Sequence, residues 1–68
     1  MIMTDERAFE RIPAWQLRAG RVMWDPAGDL TVFNIRKANG EVIFDVTAPG
    51  FVARDWALDR NDIVRVYT

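Results

Sequence analysis

At 68 residues and without cysteine, the chain has room for one small domain and no disulfide or thiolate metal site, so three Trp, four Phe and one Tyr must supply the bulk of a core. It also lacks His and Ser, which together with the missing Cys removes Ser-His triads, thiol nucleophiles and imidazole metal ligands. The net charge of −1, with both signs interspersed, lacks the gathered basic excess by which nucleic-acid binders are usually recognised.

A domain this short can hardly bury a substrate-sized cleft as well as a core, so the expectation is a protein that is not an enzyme and holds no cofactor or metal. No apolar run approaches the roughly 20 residues that span a bilayer, and Met1-Ile2-Met3 lacks the basic start and apolar core of a signal peptide. The absence of Cys fits a reducing compartment. The chain therefore reads as soluble and cytoplasmic, with no membrane partner and no small-molecule substrate.

In chain order, residues 4–12 begin with capping residues and early acids, space Phe9 and Ile12 three apart, and stop at Pro13. They read as a helix of about two turns or as a flexible arm, setting residues 1–13 apart from a domain over 14–68. Next come a turn at Ala19-Gly20 and a short strand alternating Val22 and Trp24 against Arg21 and Met23. Asp25-Pro26-Ala27-Gly28-Asp29 is a turn cluster, with Pro placed for a type I turn and Gly for a left-handed position after it.

Residues 30–48 carry the strongest signal in the chain. Two runs rich in β-branched and aromatic residues flank Asn39-Gly40, a pair that accepts positive φ, which makes a β-hairpin closed by a type I′ turn. In that register Ala38 faces Glu41, Ile35 faces Phe44, Phe33 faces Val46 and Thr31 faces Ala48. One face gathers Phe33, Ile35, Val42, Phe44 and Val46. The other carries Asn34, Arg36, Glu41 and Asp45, but also Leu30, Val32 and Ile43, an apolar strip in need of cover.

Pro49-Gly50 is the next turn. After it, residues 51–54 read as a fourth strand, followed by a less regular stretch through Trp56. Asp59-Arg60-Asn61-Asp62 reads as one turn of 3-10 helix with Asp side chains bonding backbone amides. Ile63-Val64-Arg65-Val66-Tyr67 closes the chain as a strand with Val64 and Val66 inward and Arg65 outward. Five short strands joined by recognisable turns point to an all-β, antiparallel domain.

Leu17-Arg18-Ala19-Gly20-Arg21-Val22 resembles the Leu-x-Pro-Gly-Asp-x-Val lead into the first strand of many small SH3-like barrels, with Ala19 in place of Pro and Arg21 in place of Asp. The polar turn followed by Ile63-Val64-Arg65-Val66 resembles their 3-10 turn and closing strand. The resemblance covers roughly residues 15–67, implies a five-stranded antiparallel SH3-like small barrel, and carries over no functional residue. Very small proteins of this Arg-rich, Lys-poor pattern look like those encoded by actinobacteria and their phages.

Several constellations bear on function. Among Trp15, Trp24, Phe51, Trp56 and Tyr67, the core claims Trp24 and Trp56, and Trp15 is the better interaction candidate because it precedes the first clear strand. Arg36 and Lys37 beside the hairpin tip, with Arg54, form either a small basic patch or, as the favoured reading, solvated charges paired with Asp45 and Glu41. Asp55, Asp59, Asn61 and Asp62 have the oxygens for calcium but neither the Gly nor the distal Glu of a calcium loop, so turn formation explains them. Leu30, Val32 and Ile43 are either turned inward by sheet curvature or left as a contact surface.

The functional expectation is a non-catalytic protein-interaction module of a small bacterial or phage accessory protein, self-associating or binding a protein partner. Its candidate contact residues are Trp15, Leu30, Val32, Arg36 and Ile43. The alternative is a nucleic-acid-binding small barrel using Arg36, Lys37, Arg54 and an exposed aromatic.

Overall fold

The computed structural model describes residues 8–68. Six strands, β1 (Phe9–Pro13), β2 (Val22–Asp25), β3 (Gly28–Ala38), β4 (Glu41–Ala48), β5 (Phe51–Asp59) and β6 (Ile63–Tyr67), form one antiparallel sheet in the order β1-β6-β2-β3-β4-β5. No ladder joins β5 to β1 among the described residues, so the sheet is not a closed barrel. It curls far enough for Trp56 and Leu58 of β5 to share a groove with Met23 of β2 and Val64 of β6. No helix among these residues is long and apolar enough to cross a membrane.

The turns explain the meander. Asn39 and Gly40 both hold positive φ, 53° and 77°, and Ala38 pairs with Glu41, which is the type I′ geometry that suits the twist of the flanking strands. Pro26-Ala27 and Pro49-Gly50 are likewise two-residue connections, between Asp25↔Gly28 and Ala48↔Phe51. The turn after β5 is held by side chains. The Asn61 amide donates to Asp59 Oδ1 at 2.9 Å, the Asp59 amide donates to Asp62 Oδ2 at 3.1 Å, and no 3-10 helix forms there.

Three expectations are corrected. Residues 9–13 are a strand, not the end of a helix, because each finds a partner on β6, from Phe9↔Tyr67 to Pro13↔Ile63. A two-turn helix is marginal on its own, whereas the ladder satisfies these backbone groups and buries Ile12. A helix would put Phe9 beside Ile12; the strand puts them on opposite faces, with Phe9 exposed. The expected helix or arm otherwise falls on residues 1–7, outside the described residues. Among the described residues, six strands therefore stand where five were expected, and the one short helix is a 3-10 turn at Ala14–Gln16.

The second correction is register. At the turn the pairing is as expected, but a bulge between Phe33 and Arg36 shifts it, so that Val32, not Phe33, lies opposite Val46. The extra residue is accommodated by Asn34, whose φ is 55°. A one-residue shift exchanges the two faces. Val32 is 0% exposed and Leu30 is buried beside it, while Phe33 is 36% exposed.

The third concerns β5, which runs unbroken over Phe51–Asp59. Its alternation looked poor because it too is bulged, between Ala53 opposite Val46 and Trp56 opposite Phe44, with Asp55 at φ 60°. The resulting core is Phe44, Val32, Val42, Val46 and Val66 at its centre, with Ile12, Leu17, Met23, Leu30 and Val64 around them. Burying each such side chain contributes about 1.5–3 kcal/mol.

Candidate functional site

Two of the predicted cations turn out to have different surroundings. Arg36 pairs with Ile43 and Lys37 with Val42, so the neighbours lie on opposite faces of β3. Arg36 is bound into the sheet: Nη1 donates to the Asn34 carbonyl at 2.7 Å and to Asp45 Oδ1 at 3.4 Å, and Nη2 donates to Asp55 Oδ1 at 2.5 Å. Asp45 is 4% exposed and also accepts from the Asn34 amide and the Asp55 backbone N–H. Those bonds, first Asn34, then the Asp55 amide and the Arg36 charge, hold its carboxyl below the ordinary value of 3.8 against the opposing effect of burial. This cluster pins two bulges and leaves Arg36 little to offer a phosphate.

Leu30 and Val32 are core residues with no surface to present to a partner. Ile43 is half-buried between Arg36 and Ala57 on the outer face. Arg54 is exposed at the β5 bulge, and it is not brought together with Lys37 and Arg36 into one patch. Trp15 is 42% exposed and stands on the 3-10 turn, at the end of the sheet that carries the Asn39-Gly40 hairpin.

A different group emerges on the outer face of β1, β6 and β2. The Arg65 guanidinium carbon lies 4.8 Å from the centre of the Phe9 ring and 4.7 Å from that of Trp24, so the cation is held between two aromatic faces. Arg11 approaches the same Phe9 ring at 5.7 Å. Phe9 and Trp24 are 44% and 42% exposed, which makes this a preformed aromatic-arginine surface rather than an interior cluster.

Beside it, Met23↔Val66 is the single paired position between β2 and β6. A groove of about 300 Å³ opens there, with Met23, Trp56, Leu58 and Val64 among its apolar lining and Arg11, Asp25 and Arg65 as its charged residues. Trp56 is itself tilted against Phe44, with ring centres 6.3 Å apart, which ties the groove wall to the core.

Alternation puts Arg65 outward, as found, but the need of a small domain for buried aromatics puts Trp24 in the core, whereas it is exposed. A helix over residues 4–12 hides Phe9. Strand alternation over residues 9–13, with Ile12 inward, is the signal that would have put Phe9 and Arg11 on the same face as Arg65. Arg60, which lies with Trp15 and Lys37 around a second concavity, carried no signal at all.

Comparison of the chain with protein-family models, with curated proteins and with solved structures found no match.

Proposed function

We propose that this protein is a non-catalytic interaction module that docks another protein chain on the outer face of β1, β6 and β2. The observation that carries this reading is the Phe9-Arg65-Trp24 stack at the rim of an apolar-lined groove. Trp and Arg are over-represented among residues that dominate binding energy, and stacking pre-orders the arginine, so little freedom is lost when a partner arrives. The groove accepts one apolar side chain, and Arg11 and Arg65, which outnumber the single Asp25 in its lining, favour an acidic flank on the partner. The original candidates contribute less: of Trp15, Leu30, Val32, Arg36 and Ile43, only Trp15 offers a large exposed ring.

The fold is read here as an open relative of SH3-like barrels. Strand order β6-β2-β3-β4-β5, with the closing strand returning to the first of the five, supports that reading, and β1 is an addition to it. Working in the cytoplasm as a small bacterial or phage accessory protein belongs to the same proposal.

The test is selection of peptides on the immobilised protein, followed by binding to Trp24→Ala and Phe9→Ala. An apolar-acidic consensus that loses at least about tenfold in affinity on either variant is the expected result. Peptides that bind both variants as well as the parent would overturn the docking face. Light scattering across concentrations identifies the partner as a second copy if mass rises with concentration and Trp24→Ala abolishes the rise.

A further inference from the structure

We propose that the concavity at the hairpin end of the sheet, walled by Trp15, Lys37 and Arg60, binds one nucleotide unit, an aromatic base against the indole with its phosphate between the two cations. This site is separate from the docking face: none of its residues belongs to the β1-β6-β2 surface.

The residues are assembled by the backbone. Arg60 lies between the 3-10 turn and the hairpin, its carbonyl accepting from the Trp15 amide at 3.2 Å and its own amide donating to the Gly40 carbonyl at 3.0 Å. One residue thus fixes the indole-bearing turn against the hairpin tip. The cavity between them is about 330 Å³, at the low end of ligand pockets and of a size for a single base and phosphate.

The chemistry of the walls selects the ligand. Among the described residues, no arginine or lysine covers the Trp15 ring, in contrast to Trp24, whose face is taken by Arg65. An uncovered indole is a stacking platform for any base. Lys37 and Arg60 form no ion pair with a described residue, so two cations face one cavity, and they match the charge of a phosphate monoester. Glu41 on the rim opposes the anion. That sets a sign: neutralising Glu41 must strengthen binding while neutralising either cation weakens it.

A free mononucleotide and the end of a single strand share this chemistry. The experiment is an NMR titration at low salt that follows the Trp15 indole N–H and the Gly40 and Arg60 amides, with adenosine 5′-monophosphate, adenosine and inorganic phosphate as probes. The mononucleotide is expected to move all three signals with a Kd of about 1 mM or below, adenosine to bind at least about fivefold more weakly, and phosphate to leave the indole unmoved. Lys37→Ala with Arg60→Ala, and separately Trp15→Ala, lower the affinity at least about fivefold, and Glu41→Gln raises it. All of these side chains are exposed, and the bonds of Trp15 and Arg60 that hold the turn are made by backbone, so the variants keep the fold.

Shifts no larger than those from equal ionic strength, or affinity unchanged in the double variant, would overturn the site. A single-stranded decanucleotide binding more than about tenfold tighter than the mononucleotide, with loss on Trp15→Ala, makes the strand the ligand; equal affinity makes it the free nucleotide.

Discussion

Asn34 and Asp55 stand on the two strands that flank β4, both in left-handed backbone, and both donate a hydrogen bond to the carboxylate of Asp45 between them. The Asn34 amide does so with its side chain at 2.9 Å and Asp55 with its backbone at 3.0 Å. One buried acid therefore holds two bulges, and the bulges decide which residues of β3 and β5 reach the core.

Replacing Asn34 separates the backbone contribution from the side-chain one. Asn34→Gly removes the bond to Asp45 and keeps an easy left-handed residue, whereas Asn34→Ala removes the bond and adds a Cβ in a disfavoured region. Both are less stable than the parent in urea, and Asn34→Ala falls below Asn34→Gly by about 1 kcal/mol. Equal stability of the two would show that the bulge does not depend on the backbone conformation of this residue.

Acid should loosen the same cluster. The Asp45 carboxyl titrates below its ordinary value of 3.8 in the folded protein, so its stabilising contribution is complete above that value and is lost as pH falls through it towards the lowered folded pKa. Thermal unfolding followed from pH 7 to pH 2.5 is expected to hold steady near neutrality from this group and drop below about pH 4. Asp45→Asn starts lower, because an amide cannot accept from all three donors, and declines less steeply over the acid range. Parallel curves for the two proteins would remove Asp45 as the source of the acid sensitivity.

The register shift makes a prediction about neighbours. Val32 is wholly buried opposite Val46, and Phe33, the larger side chain, is partly in solvent opposite Asp45. Val32→Ala should cost about 1.5–3 kcal/mol, and Phe33→Ala less than that, although it deletes more atoms. Chemical denaturation reads both, and a larger loss at Phe33 would restore the unshifted hairpin.

These residues also mark how far the sequence was legible. The turn Asn39-Gly40, the pairing Ala38↔Glu41 and the burial of Val42, Phe44 and Val46 follow from local chemistry, since positive φ and alternation are written in neighbouring residues. The bulges were not legible, because what stabilises left-handed Asn34 and Asp55 is an acid about ten positions away in the chain. Straight alternation carried through them puts Leu30 and Val32 outward and Phe33 inward, whereas the shifted register buries the first two and exposes the third. The surface was harder still. Exposure of Phe9 and Trp24 depends on β1 joining β6, a pairing between the two ends of the described chain.

Arg36 offers the sharpest separation of a structural role from a binding one. It stands 2.5 Å from Asp55 and 3.4 Å from Asp45, partly exposed, with Asp55 largely in water. The exposed pair with Asp55 contributes little and the one with buried Asp45 is long, so Arg36→Ala should destabilise by about 1 kcal/mol, and the Asp55 share of that shrinks as salt is raised. Because both acids compete with any phosphate for the guanidinium, the substitution is expected to leave the mononucleotide titration at Trp15 unchanged, while Lys37→Ala on the opposite face weakens it. Stability in urea at two salt concentrations, together with that titration, checks both halves. Loss of nucleotide affinity in Arg36→Ala without loss of stability would return Arg36 to the binding surface.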